Sequence, residues 1–283
     1  MEETAGAPEA AAAPGDAALV DPGKQRLLLV NVLVVAMCAL IYELVCGTLA
    51  SYLLGDAVLQ FSLVLGTYLF AMGVGAWVSR RLEPRAASRY VQTELVLALV
   101  GGLSVPMLLL AVEAHVPVRP AIHGVVFTVG VLVGVELPLL VRILRGPKDL
   151  QGSSETRNRE GAGNFAEQSS LPRIGSELPS FPVNLGTGRD ARRFGDVVAR
   201  AFAYDYVGAL GASLLFPLLL VPRLGLVRTS VVTGAVNALV ALSATFVVRV
   251  ERPGIVRAAC VLILAVLAVT FVRGEAWVAG ATD

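Results

Sequence analysis

The sequence predicts an all-α fold: a polytopic integral membrane bundle of about seven transmembrane helices. Seven long apolar runs follow one another, separated by short polar joints and one long polar segment. About 20 apolar residues are what a helix needs to cross a bilayer. Of the 283 residues 55% are hydrophobic and only 16% are charged, against roughly 25% charged in a soluble domain. The mean hydropathy is +0.72. Lipid as solvent explains the deficit, because a charge at the centre of a membrane helix costs roughly 2.5–3.5 kcal/mol on insertion scales. The net charge of +1 gives no reason to expect a nucleic-acid partner.

Residues 1–26 are rich in Ala, Pro, Gly and acid and are read as a disordered cytoplasmic tail. Lys24 and Arg26 precede the first apolar run, which is too long for the core of a signal peptide and is read as an anchor that stays. The first four spans, within residues 27–145, are placed at 27–54, 57–78, 93–112 and 120–144. The segment 146–196 lacks any sustained periodicity and is read as a flexible cytoplasmic loop. Three more spans, within residues 197–273, are placed at 197–221, 226–248 and 255–272, ahead of a short tail at 274–283. With the N-terminus inside, nineteen of the 23 Lys and Arg fall on the cytoplasmic side. That bias is the expected one for a cell membrane, of bacterial inner-membrane type. Seven spans then place the C-terminus outside.

Charges within spans are functional candidates, because the bilayer makes them costly. Glu43, Glu136 and Asp205 stand out, with Tyr42 and Tyr206 beside two of them. At 1.5 Å per residue, Glu136 lies roughly 9 Å and Asp205 roughly 13 Å from the cytoplasmic edge, so these two share a layer. Glu43 lies roughly 24 Å in, so one site made of all three acids requires broken or tilted helices. Two roles are open for them: neutral or hydrogen-bonded packing groups, or cation-facing groups lining a polar cavity. Small residues mark candidate helix contacts: Gly130-xxx-Gly134 with Pro138 on the same stripe, Gly73-x-Gly75, and Gly208-xx-Gly211.

Cys38, Cys46 and Cys260 lie inside apolar runs without metal-ligand spacing and read as small buried residues. His115 and His123 flank a short joint and read as interfacial residues. No zinc spacing, nucleophile elbow or phosphate loop is found. Gly186-Thr187-Gly188 has no strand before it. No catalytic residue, metal or cofactor is therefore assigned.

The acid-bearing segments also resemble a known family. Ile41-Tyr42-Glu43-Leu44, Gly47-Thr48, Ser51-Tyr52-Leu53-Leu54-Gly55 and Leu59-Gln60-Phe61-Ser62 resemble the start of the membrane-bound spermidine synthases, or polyamine aminopropyltransferases. The likeness continues through Ala71-Met72-Gly73-Val74-Gly75, Ser79-Arg80 and Gly134-Val135-Glu136-Leu137-Pro138-Leu139-Leu140. It resumes at Asp205-Tyr206-Val207-Gly208-Ala209-Leu210, Phe216-Pro217 and Arg223-Leu224-Gly225-Leu226-Val227-Arg228. The resemblance implies the N-terminal transmembrane half of such a protein. A soluble, methyltransferase-type half that binds decarboxylated S-adenosylmethionine and putrescine would follow it. No residue here matches that half, so activity of the chain alone is not expected. The expected function is a membrane module that anchors or partners a separate synthase, with the lipid bilayer and a polyamine as further partners. The alternative is an independent small transporter or channel for a cationic solute such as a polyamine. A transporter-like bundle of the major facilitator type is an analogy only.

Overall fold

The computed structural model describes residues 22–145, 188–248 and 250–280, and the regular elements among them are all helical. The tail ahead of residue 22 and the segment 146–187 lie outside the described residues. Helix α1 covers Pro22–Leu54. It starts inside the stretch read as tail, because a proline in the first turn gives up an N–H that has no intrahelical partner there. Gly55 (φ 71°) and Asp56 (φ 44°) reverse the chain. The Asp56 side chain then accepts the Leu59 N–H at 3.2 Å and caps α2, Ala57–Ser79.

A short 3₁₀ turn, Arg80–Arg85, leads into α3, Ala86–Gly102, and α4, Ser104–Glu113. The third span is therefore not straight: α3 and α4 meet at 44°. Pro106 explains the bend, since its ring lacks an N–H for the Gly102 carbonyl and crowds that oxygen. The Leu103 N–H still reaches the Leu99 carbonyl at 3.0 Å, so the chain stays coiled through the bend. Helix α5 covers Val118–Arg145. Helix α6 covers Gly188–Leu215 and so begins ahead of Val197, within the stretch read as loop. A π-helical turn, Phe216–Leu220, joins it to α7, Val221–Val247. Helix α8 covers Pro253–Gly280.

Five helices are each long and apolar enough to cross a membrane, or six with α3 and α4 taken as one span. That count treats Val198–Val247 as a single helix of 50 residues. A straight helix of that length would measure about 75 Å, more than twice a hydrocarbon core of about 30 Å. Gly225 breaks it, with φ 71° and ψ 176°. Contacts with α1 show that the two parts run in opposite directions. Gly208 sits against Leu33 and Ala36, and Gly211 against Met37, so α6 runs parallel to α1. Cys38 Sγ reaches the Thr233 carbonyl at 3.8 Å, and Ser243 reaches Asn31 at 3.2 Å, so α7 runs antiparallel to it. The described residues thus form seven rods.

The other contacts fit the same up-and-down order. Helices α2 and α5 are parallel: Thr67 meets His123 at 3.0 Å, and the Arg142 guanidinium donates to the Ser79 carbonyl at 2.8 Å. Helices α3 and α7 are antiparallel, with Glu94 opposite Asn237 and Ala98 opposite Gly234. At the end carrying Arg80 and Arg85, here the basic end, Arg85 pairs with Glu251 at 3.1 Å and Ser88 Oγ accepts the Glu251 N–H at 3.0 Å. Helix α1 is central and touches α2, α5, α6 and α7. Its Tyr42, Val45, Cys46 and Leu49 fill one core, while Leu28, Tyr90, Leu139, Ala241 and Cys260 fill a second nearer the basic end. Large apolar side chains face outward: Val58, Phe70, Leu218 and Val272 are 80%, 68%, 74% and 77% exposed.

Candidate functional site

The most concentrated polar chemistry in the interior lies between α3, α5 and α7. Glu94 on α3 is fully buried and Glu136 on α5 nearly so. Their carboxyl groups lie side by side. Asn237 on α7, also buried, donates through Nδ2 to Glu94 Oε2 at 2.8 Å and to the Glu94 carbonyl at 3.1 Å. That amide stitches α3 to α7. Tyr90, one turn before Glu94, places a buried hydroxyl near the same carboxyl but outside hydrogen-bond geometry.

Helix geometry explains why these groups meet. Glu94 is eight residues into α3, roughly 12 Å from its start, and Glu136 is nine residues from the end of α5, roughly 14 Å in. Asn237 is ten residues from the end of α7 and Asn31 nine from the start of α1, so both fall in the same layer at roughly 14–15 Å. Asn31 accepts from the Ser243 hydroxyl in that layer. Within α3, Tyr90, Glu94, Leu97 and Gly101 follow a spacing of three or four residues and form one buried stripe.

The acids read from the sequence do not form one site. Asp205, one turn before Gly208, lies at the level of Asn31, near the layer of Glu136, and its charge acts on Glu136. Glu43 is half-buried and lies twelve residues beyond Asn31 along α1, roughly 18 Å away. Tyr42 is completely buried, with its ring against Gly101 and its hydroxyl unpartnered. Tyr206 is 69% exposed and stacks on Phe202 at 6.4 Å, facing out of the bundle. His123 lies five residues into α5 and hydrogen-bonds Thr67 on α2 at 3.0 Å.

The glycines differ among themselves. A side chain at Gly75 would overlap the Val131 carbonyl, one at Gly134 the Met72 backbone, and one at Gly208 the Leu33 carbonyl. Gly130 packs on Tyr68 and Ala71, and Gly211 meets only Met37, at 3.7 Å. Gly73 faces open space. Among the described residues no group of three or more His, Cys, Asp and Glu side chains is arranged to hold a metal, and Cys38, Cys46 and Cys260 are free and buried.

Glu94, Asn237 and Asn31 are not among the residues that the sequence singles out. Glu94 falls at the second residue of the span placed at 93–112, where a carboxylate needs no partner to reach the interface, whereas the structure sets it eight residues into α3. The polar Asn237, isolated in an apolar run, was the signal that a partner had to exist.

The chain is similar to curated proteins named polyamine aminopropyltransferase. It is 37% identical to one from Leptospira interrogans over 249 residues, covering 87% of this chain and 41% of that protein. It is 40% identical to one of two from Ralstonia nicotianae over 228 residues, covering 80% and 36%. A Streptomyces coelicolor protein is 34% identical over 258 residues, covering 89% and 41%. No family model and no solved structure matches the chain. These relatives overturn the expectation of a bare membrane module for a separate synthase, and with it the free-standing transporter or channel. That expectation leaned on where the sequence stops, and a chain that spans only 36–41% of these relatives carries no information there. Over 80–90% of its length the chain is a homologue of proteins that themselves carry the name polyamine aminopropyltransferase.

Proposed function

We propose that the protein carrying this chain is itself a polyamine aminopropyltransferase, set in a membrane by this helical bundle. The observation that carries the reading is one alignment over most of the chain to several proteins of that name. Membrane insertion is supported by α1, α2, α5 and α8, which have the length and hydropathy of spans, and by the apolar stretch Val198–Val247 that turns back on itself at Gly225. It is supported too by the large apolar side chains turned outward along α2, α6 and α8. In water a surface of that kind is a strong drive to associate; in lipid it is matched to its solvent. The uneven placement of Lys and Arg favours a cytoplasmic N-terminus.

The test is to express the complete reading frame that carries these residues. Its membrane fraction is assayed for aminopropyl transfer from decarboxylated S-adenosylmethionine to putrescine. The expected result is spermidine formed by membranes and retained after a carbonate wash. No transfer, with an active relative assayed alongside, overturns the reading.

A further inference from the structure

We propose that Glu94 and Glu136 hold one proton between them, which makes the pair a proton-binding site at the centre of the bundle. The argument is an inventory of donors and acceptors. Glu94 Oε1, Glu136 Oε1 and Asn237 Oδ1 are buried acceptor oxygens with no hydrogen-bond partner. The described donor to the carboxyls, Asn237 Nδ2, is already engaged with Glu94 Oε2 and the Glu94 carbonyl, and the Tyr90 hydroxyl, outside hydrogen-bond geometry, lies near Glu94 and leaves Glu136 without a donor. Two carboxylate oxygens cannot hydrogen-bond each other unless one of them carries the hydrogen. A single proton shared between the two carboxyl groups supplies the donor that is missing.

Charge points the same way. The titratable groups facing the pair are Tyr90 on α3, Cys38 and Tyr42 on α1, and Asp205 on α6. Tyr68 on α2 senses Glu136, and Cys260 on α8 shares a core with Tyr90. Asn237 on α7 does not titrate. None of these groups brings a positive charge. On α5 itself, Arg142 lies six residues from Glu136 and donates to Ser79 on α2. Two ionised carboxylates in contact would repel without compensation, whereas one proton leaves a single charge. Glu94 keeps that charge, because it also accepts from Asn237, and Glu136 carries the proton and donates it to the Glu94 carboxylate. Loss of the proton sets like charges against each other across the α3–α5 contact.

Infrared spectroscopy of the purified full-length protein reads the proton directly. The Glu43→Gln protein, with ¹³C-labelled glutamate carboxyls, leaves both members of the pair in place. At neutral pH it is expected to show one protonated glutamate carbonyl band that shifts in D2O. Adding Glu94→Gln and Glu136→Gln together is expected to remove that band, and Asp205→Asn to leave it. Three outcomes overturn the proposal: no such band, a band of two carboxyls' intensity, or a band abolished by millimolar Na⁺ or K⁺, which would mean a metal cation in place of the proton. The first two need no change at either buried residue, so a misfolded double variant does not rescue the idea.

Discussion

Replacing Gly134 with alanine tests the packing of α2 on α5 more sharply than any other single change. The added methyl carbon would lie 2.7 Å from both the Met72 carbonyl carbon and its Cα, and would overlap the carbonyl oxygen. All three atoms are backbone, so no rotamer change makes room. The two helices have to move apart, and the contact includes Gly75 against Val131 and Gly130 against Ala71. Inserting a methyl into a well-packed interior costs about 1–3 kcal/mol. Alanine recovers up to about 1 kcal/mol of helix propensity over glycine. The net loss is expected near 1–2 kcal/mol, a fall in the folded-to-unfolded ratio of about 5- to 30-fold. Gly73→Ala is the control: it lies on α2 two residues before Gly75 and faces away from α5, with nothing within 4 Å, so the propensity gain stands alone. The assay is reversible unfolding in mixed micelles, followed by helical circular dichroism. A Gly134→Ala protein as stable as Gly73→Ala would refute the argument, and with it the close α2–α5 approach.

Further expectations follow from other contacts. Asn237→Leu removes the donor to the buried Glu94 carboxyl and should cost about 1–3 kcal/mol in the same unfolding assay, while Asn237→Gln should recover part of the loss; equal stability of wild type and Asn237→Leu would contradict the stitched α3–α7 contact. Gly225 has φ 71° and ψ 176° with nothing near it, a region essentially reserved for glycine, so Gly225→Ala and Gly225→Asn alike should cost about 1–3 kcal/mol from backbone strain alone. Arg85→Ala breaks an ion pair whose side chains are 61% and 63% exposed, and should change stability by at most about 1 kcal/mol; a larger loss would mean that this joint is buried in the assembled protein. Cysteines placed at Asp56 and Glu113 should react with an impermeant thiol reagent from the side opposite to one at Arg85. Labelling of all three from one side would break the up-and-down order.

How much of this was legible beforehand varies with the physics of each element. Spans are legible because hydrophobic length is a local property, so α1, α2, α5 and α7 begin and end within about five residues of the apolar runs, whereas α8 continues to Gly280, into the stretch read as a tail. The bend at Leu103 was present as Pro106 inside an apolar run, but a hydropathy window averages a proline away. The reversal between α6 and α7 was legible: Pro222-Arg223-Leu224-Gly225 separates the spans placed at 197–221 and 226–248, and the helix breaks at Gly225. Glycine spacing showed which residues are small and left open which face a neighbour. Gly73 and Gly75 are two residues apart, so they point roughly 200° from each other on the helix; only Gly75 meets α5.

The buried carboxyl pair was the least legible feature, because it depends on contacts between helices that are distant in the sequence. Asn237 and Glu94 are 143 residues apart, and neither has a motif. The physical rule that would have joined them is satisfaction: an amide buried in lipid-facing helices loses its water and must find a partner. The same rule separates Glu136 from Glu43. Glu43 is half-buried on α1, whereas Glu136 has its partner fixed across the α3–α5 contact. Two like charges about 4 Å apart, at an effective dielectric of about 20, repel by about 4 kcal/mol, a large part of the 5–15 kcal/mol that holds a typical domain together. A bundle with Glu94 against Glu136 therefore keeps them together only by holding something positive there. A shared proton is the smallest occupant that also supplies a hydrogen bond between two carboxyls that each hold an unpartnered buried oxygen.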